Sequence, residues 1–433
     1  MSFPDARDVP ADTTSTERLA ASGLDYRVVD LSDDASAVPF LRAVDRGFLG
    51  AEPSEEIVAQ VRKTFAARRN IGVYEQNAPA AARPVATTNG WVTPLTLPGG
   101  GEIGMWAISV VTVAATHRRR GIARALLEGE LRAAASAGVP VAGLTVSEAT
   151  IYGRYGFGSA IPVARLTVDT RRAGWGGATP SGRLEYVDRA TLAADLGTVH
   201  ERARLRASGQ IPGWQGRWEG YAGVSPTPDR DQARGVRYLD DDGVLRGVLA
   251  YTVGEASGTF RFRMDVRLLV AETVEARIAL WRFALQHDLV DEVVADLRPL
   301  DDPLPWLVHD TRGVKQEVHD HGWLRILDLP TALSARRYSA PLDTVLRVED
   351  SLGFAAGDWR LRVDDSGVAT VEEAAGAAVD ITLDVSALSS LYAGGVRAST
   401  LHGAGRITAD AADVEALDRA LIAFPAPSLD IWY

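Results

Sequence analysis

Apolar positions along the first third of the chain recur with two periods, and the period switches repeatedly. Residues 26–31 (YRVVDL) read as a strand, whereas 36–50 and 54–69 repeat apolar residues every three to four positions and read as amphipathic helices. Segments 70–76 and 84–97 read as a strand pair separated by turn residues. A run of β-branched residues up to Val113 leads into an arginine-rich turn, an apolar-periodic helix over about 121–138 and a strand at 139–146. Strands alternating with helices in this way predict an α/β fold.

The same plan recurs further on. After a Gly/Pro/Ser-rich loop at 171–182, residues 260–302 again read strand, turn, amphipathic helix, strand, with element lengths like those of 106–148. The second copy carries AETVEA where the first carries THRRRGIA. Without the arginines and the glycine, it is expected to keep the fold and to be unable to cradle a phosphate. From about Leu324 short alternating strands take over, followed by helical segments at 386–395 and 412–424, which predicts an α+β domain.

Composition narrows the function. The 433 residues are 46% hydrophobic and 24% charged, as in soluble globular proteins. A net charge of −11 makes a general nucleic-acid binder a poor reading and suits cationic amines instead. There is no cysteine, which excludes disulfides, thiolate zinc sites and cysteine nucleophiles and fits a cytoplasmic location. No apolar run approaches the ~18 residues of a membrane span, so no membrane partner is expected. Residues 1–20 lack the apolar core of a signal peptide and read as a polar, frayed lead-in. His319 and His321 share one face of a strand, but no further ligands cluster beside them, so no metal site is expected.

The candidate chemistry centres on Arg118, Gly121 and Ala123, spaced Arg-x-x-Gly-x-Ala between a strand and a helix start. Three occupants compete for such a turn: water, a nucleic-acid backbone, or a cofactor phosphate. The first helical turn leaves N–H groups unpaired, the helix dipole adds positive charge there, and a glycine lets a phosphate approach the backbone. Together these suit a pyrophosphate. The three-glycine spacing of a dinucleotide fingerprint is missing.

The strand VVTV, the turn RRRGIA and the helix after it resemble the acetyl-CoA-binding core of the GCN5-related N-acetyltransferases (GNAT). SEATIYGRYGFG, with Tyr152 four residues before Gly156-Phe157, matches a second signature of that superfamily. Together with DDPLPWLVHDTR, GWLRILDLPTAL and LYAGGVRASTL, in this order, these blocks resemble the enhanced intracellular survival (Eis) family of multi-acetylating aminoglycoside N-acetyltransferases.

The resemblance implies tandem GNAT domains, the second degenerate, followed by a sterol-carrier-protein-like α+β domain, here 1–160, 161–323 and 324–433. It implies acetyl-CoA as co-substrate, no metal, a polyamine or aminoglycoside acceptor, and a homohexamer. Val111, Thr112 and Val113 would lie along the pantetheine and acetyl groups, with a backbone N–H offered to the thioester oxygen. Arg118, Arg119, Arg120, Gly121, Ile122, Ala123 and Arg124 would form the diphosphate cradle. Ser147 and Glu148 would flank the cofactor at the end of the next strand, and Phe48 would line the acceptor pocket. Where the family often has an aromatic before the Val-x-Val core, this chain has Val110.

Amine acetylation needs a polarised thioester, an acceptor that loses a proton and a leaving thiolate that gains one. Tyr152 is the expected general acid, because a phenol with a pKa near about 10 is protonated at neutral pH; Tyr155 is its rival. For the base the resemblance implies the C-terminal carboxylate of Tyr433, with Glu148 as the alternative. Two further readings stay open: acetylation of protein lysines, and a non-catalytic acyl-CoA or lipid-binding protein.

Overall fold

The computed structural model describes residues 3–79, 82–227, 229–255 and 260–433. The chain divides into two bodies: residues up to Ala160 with Gly322–Ala423 and Tyr433, and Ile161–His321 with Phe424–Trp432.

The first body opens with α1 (Thr13–Ala20), β1 (Leu24–Val28), α2 (Asp34–Gly47), α3 (Glu55–Phe65), β2 (Arg69–Glu75), β3 (Ala86–Thr96), β4 (Glu102–Val113), α4 (Ile122–Ser136), β5 (Val141–Thr145) and α5 (Ala149–Tyr152). Side chains of Asp12, Asp33 and Ser54 cap the first three helices, each accepting from an otherwise unpaired first-turn N–H. Strands β1 to β4 form an antiparallel run, and β5 then pairs parallel to β4. A parallel neighbour requires a crossover, and α4 supplies it, burying Leu126, Leu127, Leu131 and Ala134 completely.

The N-terminal segment corrects one expectation. It does not fray after Asp12: Leu19 is buried, the Ser15 hydroxyl donates to the Ala125 carbonyl at 2.7 Å, and Arg132 pairs with Asp12 at 2.7 Å. Eight mostly polar residues carry too little periodicity to reveal a helix that docks through one leucine and a cap.

The second body contains β6 (Gly158–Asp169), α6 (Thr170–Ala173), β7 (Arg183–Val187), α7 (Arg189–Arg204), α8 (Gln215–Ala222), β8 (Arg234–Leu239), β9 (Leu245–Glu255), β10 (Phe262–Ala271), α9 (Val274–Leu285), β11 (Val290–Arg298) and the first part of β12 (Val314–Ile326). Its order, β7-β8-β9-β10-β11-β6, repeats the scheme of the first body: an antiparallel run, then a parallel pair (β10 and β11) bridged by a helix. The strand beside β11 is β6, antiparallel, while the strand beside β5 in the first body is residues 322–326 of β12, also antiparallel. The expected breaks at 160/161 and 323/324 therefore fall inside β6 and β12.

The rest of the first body is α10 (Leu329–Ala335), β13 (Leu342–Glu349), β14 (Gly357–Val363), β15 (Ala369–Glu373), β16 (Ile381–Asp384), α11 (Val385–Leu391), α12 (Ala398–Gly403), β17 (Ile407–Ala409) and α13 (Ala411–Leu421). Its sheet runs β15-β14-β13-β16-β17. The buried Arg336 guanidinium donates to the carbonyls of Tyr392 and Leu421 at 2.6 Å each, satisfying groups at the ends of α11 and α13.

Candidate active site

The site is built on a fork between β4 and β5. The two strands pair only from Met105 opposite Val141 to Ala107 opposite Gly143, and then part. Just beyond, β4 bulges: Thr87 faces Thr112 and Asn89 faces Ser109, so Thr88 faces both Val110 and Val111. Val110 takes φ +49°, a conformation β-branched residues rarely adopt. The bulge is held in place by hydroxyls of β3: Thr87 donates to the Val110 carbonyl at 2.9 Å and Thr88 to the Ser109 carbonyl at 3.3 Å. A bulge next to a site re-aims backbone and side chains. Here Val111 packs on the cluster containing Tyr152, and Val113 on the cluster containing Ile122.

After β4 the chain turns through Arg118–Arg120, all exposed, into α4. Gly121 is the N-cap of that helix at φ +76°, and no side chain caps its first turn. A Cβ at Gly121 would meet nothing within 4 Å, so the backbone there faces open space. Uncapped N–H groups at the positive end of a fifteen-residue helix form an anion site. Arg118 and Arg119 make no ion pair among the described residues. Arg120 donates to the Ser22 carbonyl at 3.0 Å, and Arg124 turns back along the helix to Glu128 at 2.6 Å.

Tyr152 ends α5 and is buried, its ring edge-on to Phe157 at 6.1 Å between centroids. Burial, with the Glu148 charge adding to it, pushes its phenol above the usual value. Tyr155 is raised too, by burial first and by Glu128 second. The turn after Tyr152 is pinned from behind. Arg325, fully buried, donates to the Tyr155 carbonyl at 2.8 Å and pairs with both oxygens of Asp350 at 2.7 Å. Ser386 donates to the Phe157 carbonyl at 2.8 Å. Gly156 has φ +84°, and a Cβ there would come within 2.8 Å of Val385 Cγ1. The Gly-Phe signature is thus a steric requirement of this turn.

At the far end of β5 the Thr145 hydroxyl donates to a terminal oxygen of Tyr433 at 2.7 Å. The Tyr433 ring stands edge-on to Trp91 at 5.5 Å, and the Arg68 guanidinium lies over the Trp91 ring at 3.6 Å. Burial pushes the Tyr433 phenol well above its usual range. Thr145, Trp91 and Arg68 were not singled out in the sequence. Thr145 had a usable signal, as the last strand residue before Ser147-Glu148; the other two had none.

The remaining sequence candidates distribute as follows. The Thr112 hydroxyl lies 2.7 Å from that of Thr87, with which it shares a hydrogen bond. Ser147 and Glu148 are exposed beyond the end of β5, with Thr150 donating to Glu148 at 3.3 Å. Phe48 is 52% exposed and follows Gly47, where α2 ends against Thr112. His319 and His321 are engaged separately, His319 with Asp296 at 2.9 Å and His321 with the Ile431 carbonyl at 3.2 Å. Among the described residues no three His, Asp or Glu side chains are grouped to hold a metal, and no helix is long and apolar enough to cross a membrane.

Comparison with known proteins follows the same lines. Models of the acetyltransferase (GNAT) domain match residues 29–160 and 212–326, and a sterol carrier protein domain matches 329–429. N-acetyltransferase Eis of Mycobacterium tuberculosis is 35% identical over 341 residues, 75% of this chain and 80% of the relative. An uncharacterized N-acetyltransferase of Streptomyces griseus is 34% identical over 398 residues, 88% of this chain and 93% of the relative. The crystal structure of Eis1 from Mycobacterium abscessus matches with a TM-score of 0.80 at 28% identity, over 94% of this chain and all of that one. The tandem GNAT domains and the carrier-like domain expected from the sequence are the fold. The chain is an acetyltransferase and belongs to the Eis family of GNAT N-acetyltransferases.

Proposed function

We propose that the chain transfers the acetyl group of acetyl-CoA to amines of polycationic, aminoglycoside-like acceptors, at more than one position of the same acceptor. The observation that carries this reading is the fork of the first body, with an uncapped helix N-terminus on one side and Thr145 bound to a terminal oxygen of Tyr433 on the other. The residues present fit the cofactor: Gly121 is open, and Arg118 and Arg119 are uncommitted. The N–H groups after Gly121, at Ile122 and Ala123, with Arg118–Arg120 and Arg124, would hold its diphosphate. The backbone of Val111–Val113 would polarise the thioester carbonyl, and Ser147 and Glu148 would flank the arm. Acetyl-CoA, when bound, supplies an activated acyl group.

Tyr152 holds a proton for the departing sulfur, and its raised pKa keeps the phenol protonated. The Tyr433 carboxylate faces a harder task. An α-carboxyl near about 3.5 cannot strip an alkylammonium near about 10 in water. It positions the amine, which attacks as the neutral base after giving one proton to solvent. The carboxylate then takes the second proton, from the far more acidic nitrogen that the new N–C bond leaves positively charged, while the C–S bond breaks and the thiolate takes the Tyr152 proton.

The test is thiol release from acetyl-CoA with kanamycin-like polyamines, for the native chain and for one extended by a few residues after Tyr433. Turnover by the first alone, with both folded and binding acetyl-CoA, supports the assignment. Equal turnover moves the base to Glu148. Peptide lysines turned over as well as polyamines would replace the acceptor class. The sequence modules 1–160, 161–323 and 324–433, a cytoplasmic location and a homohexameric assembly complete the proposal. Trp306 and Phe424, 86% and 84% exposed, supply apolar surface for an assembly, which light scattering would size.

A further inference from the structure

The second body has a fork of its own. β10 and β11 pair in parallel as far as Val266 opposite Ala295 and then part, with a bulge in β10 between Val266 and Leu268, as in β4. The opening is a cavity of about 410 Å³, walled by the ends of both strands, the end of α7 and residues 425–430. That volume lies in the range of small-molecule sites.

The cavity is not a diphosphate cradle. The Thr273 side chain caps α9 by accepting from the Ala276 N–H at 3.1 Å, and Glu275 puts a negative charge in the first turn. Most lining charges are already committed. Arg298 pairs with Asp302 at 2.8 Å and donates to the Leu269 carbonyl at 2.9 Å, bridging the fork. Arg204 pairs with Glu201 at 2.6 Å, and Glu272 is shared by Arg202, Arg206 and Arg246. Asp301 accepts from the Ala426 N–H at 2.8 Å.

Two lining groups bear on a ligand. Arg277 lines the cavity with its Nε unpartnered among the described residues. Burial first and the neighbouring Arg298 charge second pull its pKa down, more than the Asp302 and Asp301 charges raise it, so a further anion beside it would be favourable. His200 is 1% exposed and also lines the cavity. Its Nε2 faces the Asp430 carboxylate at 3.0 Å, and its Nδ1 is buried without a partner among the described residues. Such groups are costly to leave unpaired.

We propose that this second fork binds a small monocarboxylate that carries one further hydrogen-bond donor: the carboxylate on Arg277, the donor on His200 Nδ1, and the apolar body against Leu269, Val270, Leu297 and Pro299. A guanidinium takes a carboxylate through two parallel bonds, and one cation that makes no ion pair among the described residues, with Asp301 and Asp302 already near it, matches a monoanion better than a phosphate dianion. The site is independent of the acetyl-transfer reading.

The test uses the full chain saturated with coenzyme A, so that the first fork is filled, and follows 3-fluoro-4-hydroxybenzoate by ¹⁹F NMR. The expected result is saturable line broadening, weaker for 4-fluorobenzoate, which lacks the donor, and absent for 2-fluorophenol, which lacks the carboxylate. Arg277→Gln should weaken binding roughly tenfold or more while coenzyme A binding stays as in the parent. Arg277→Lys keeps the charge without the fork geometry and should weaken it less, and it serves if the glutamine variant does not fold. No broadening at millimolar probe, equal binding by both variants and parent, or equal binding of all three probes would overturn the proposal.

Discussion

The Thr145 hydroxyl and a terminal oxygen of Tyr433 are 2.7 Å apart, a direct polar link between the end of β5 and Tyr433. A hydrogen bond to a charged acceptor contributes about 1.5–3 kcal/mol. Thr145→Val keeps the shape of β5 and removes the donor. Turnover with a polyamine should fall roughly tenfold to a hundredfold, with the Kd for acetyl-CoA unchanged. Unchanged turnover would mean that the carboxylate does no work where Thr145 holds it.

Tyr152→Phe removes only a hydroxyl from a buried ring. If that hydroxyl protonates the departing sulfur, kcat should drop by about 10²–10⁴, with little change in acetyl-CoA binding and a much smaller effect for Tyr155→Phe. Because burial raises its pKa, the proton-bearing form persists through neutral pH. The alkaline limb of kcat should therefore begin above the ordinary value of a free phenol, and a limb well below it would point to another acid.

Gly121→Ala separates the fold from the cradle. The left-handed conformation costs a non-glycine residue about 1–2 kcal/mol, but no atom lies within 4 Å of the new methyl. The variant should fold with a modestly lower urea midpoint, while its KM for acetyl-CoA rises, because the methyl occupies the space through which a phosphate reaches the backbone. Unaltered KM would leave the exposed arginines of this turn to water.

His321 gives an acid-side stability signature. Its imidazole is buried and its pKa is depressed to about 4 by that burial, against the pull of the Ile431 carbonyl. An unfolded histidine titrates near about 6.5. Below that value the unfolded chain takes up a proton that the folded chain refuses, so stability is full above it and falls by roughly 3 kcal/mol as pH drops to about 4. For His319, burial lowers the pKa, but Asp296 and the Asp320 carbonyl outweigh it, and the net upward shift acts with the opposite sign. Comparing His321→Gln with the parent isolates the effect: its urea midpoint should depend less on pH between about 7 and 5. An identical dependence would refute it.

Much of the candidate fork was legible because its signals are local. Gly121, set between a β-branched run and an apolar-periodic segment, marks a helix start, and the repeat at 260–302 shows through its element lengths. The rest depends on partners that no local pattern names. The strand character of residues 322–326 is evident, but not that they pair with β5. A valine with positive φ runs against propensity, and the bulge at Val110 exists because hydroxyls on β3 hold it. Trp91 and Arg68 look like ordinary strand and helix-end residues until Tyr433 is laid beside them.

The strand beside β5 comes from residues 322–326, and the strand beside β11 comes from residues 164–169. Contiguity in the gene and completeness in the fold are thus different things here. A fragment ending at Ala160 would carry the whole acetyl-CoA signature, yet would present β5 as a raw edge with open backbone groups, a template for aggregation. Dissecting this enzyme into expressible pieces therefore calls for circular permutation or for co-expression of the missing strand, and an inactive N-terminal fragment would say nothing about where catalysis resides.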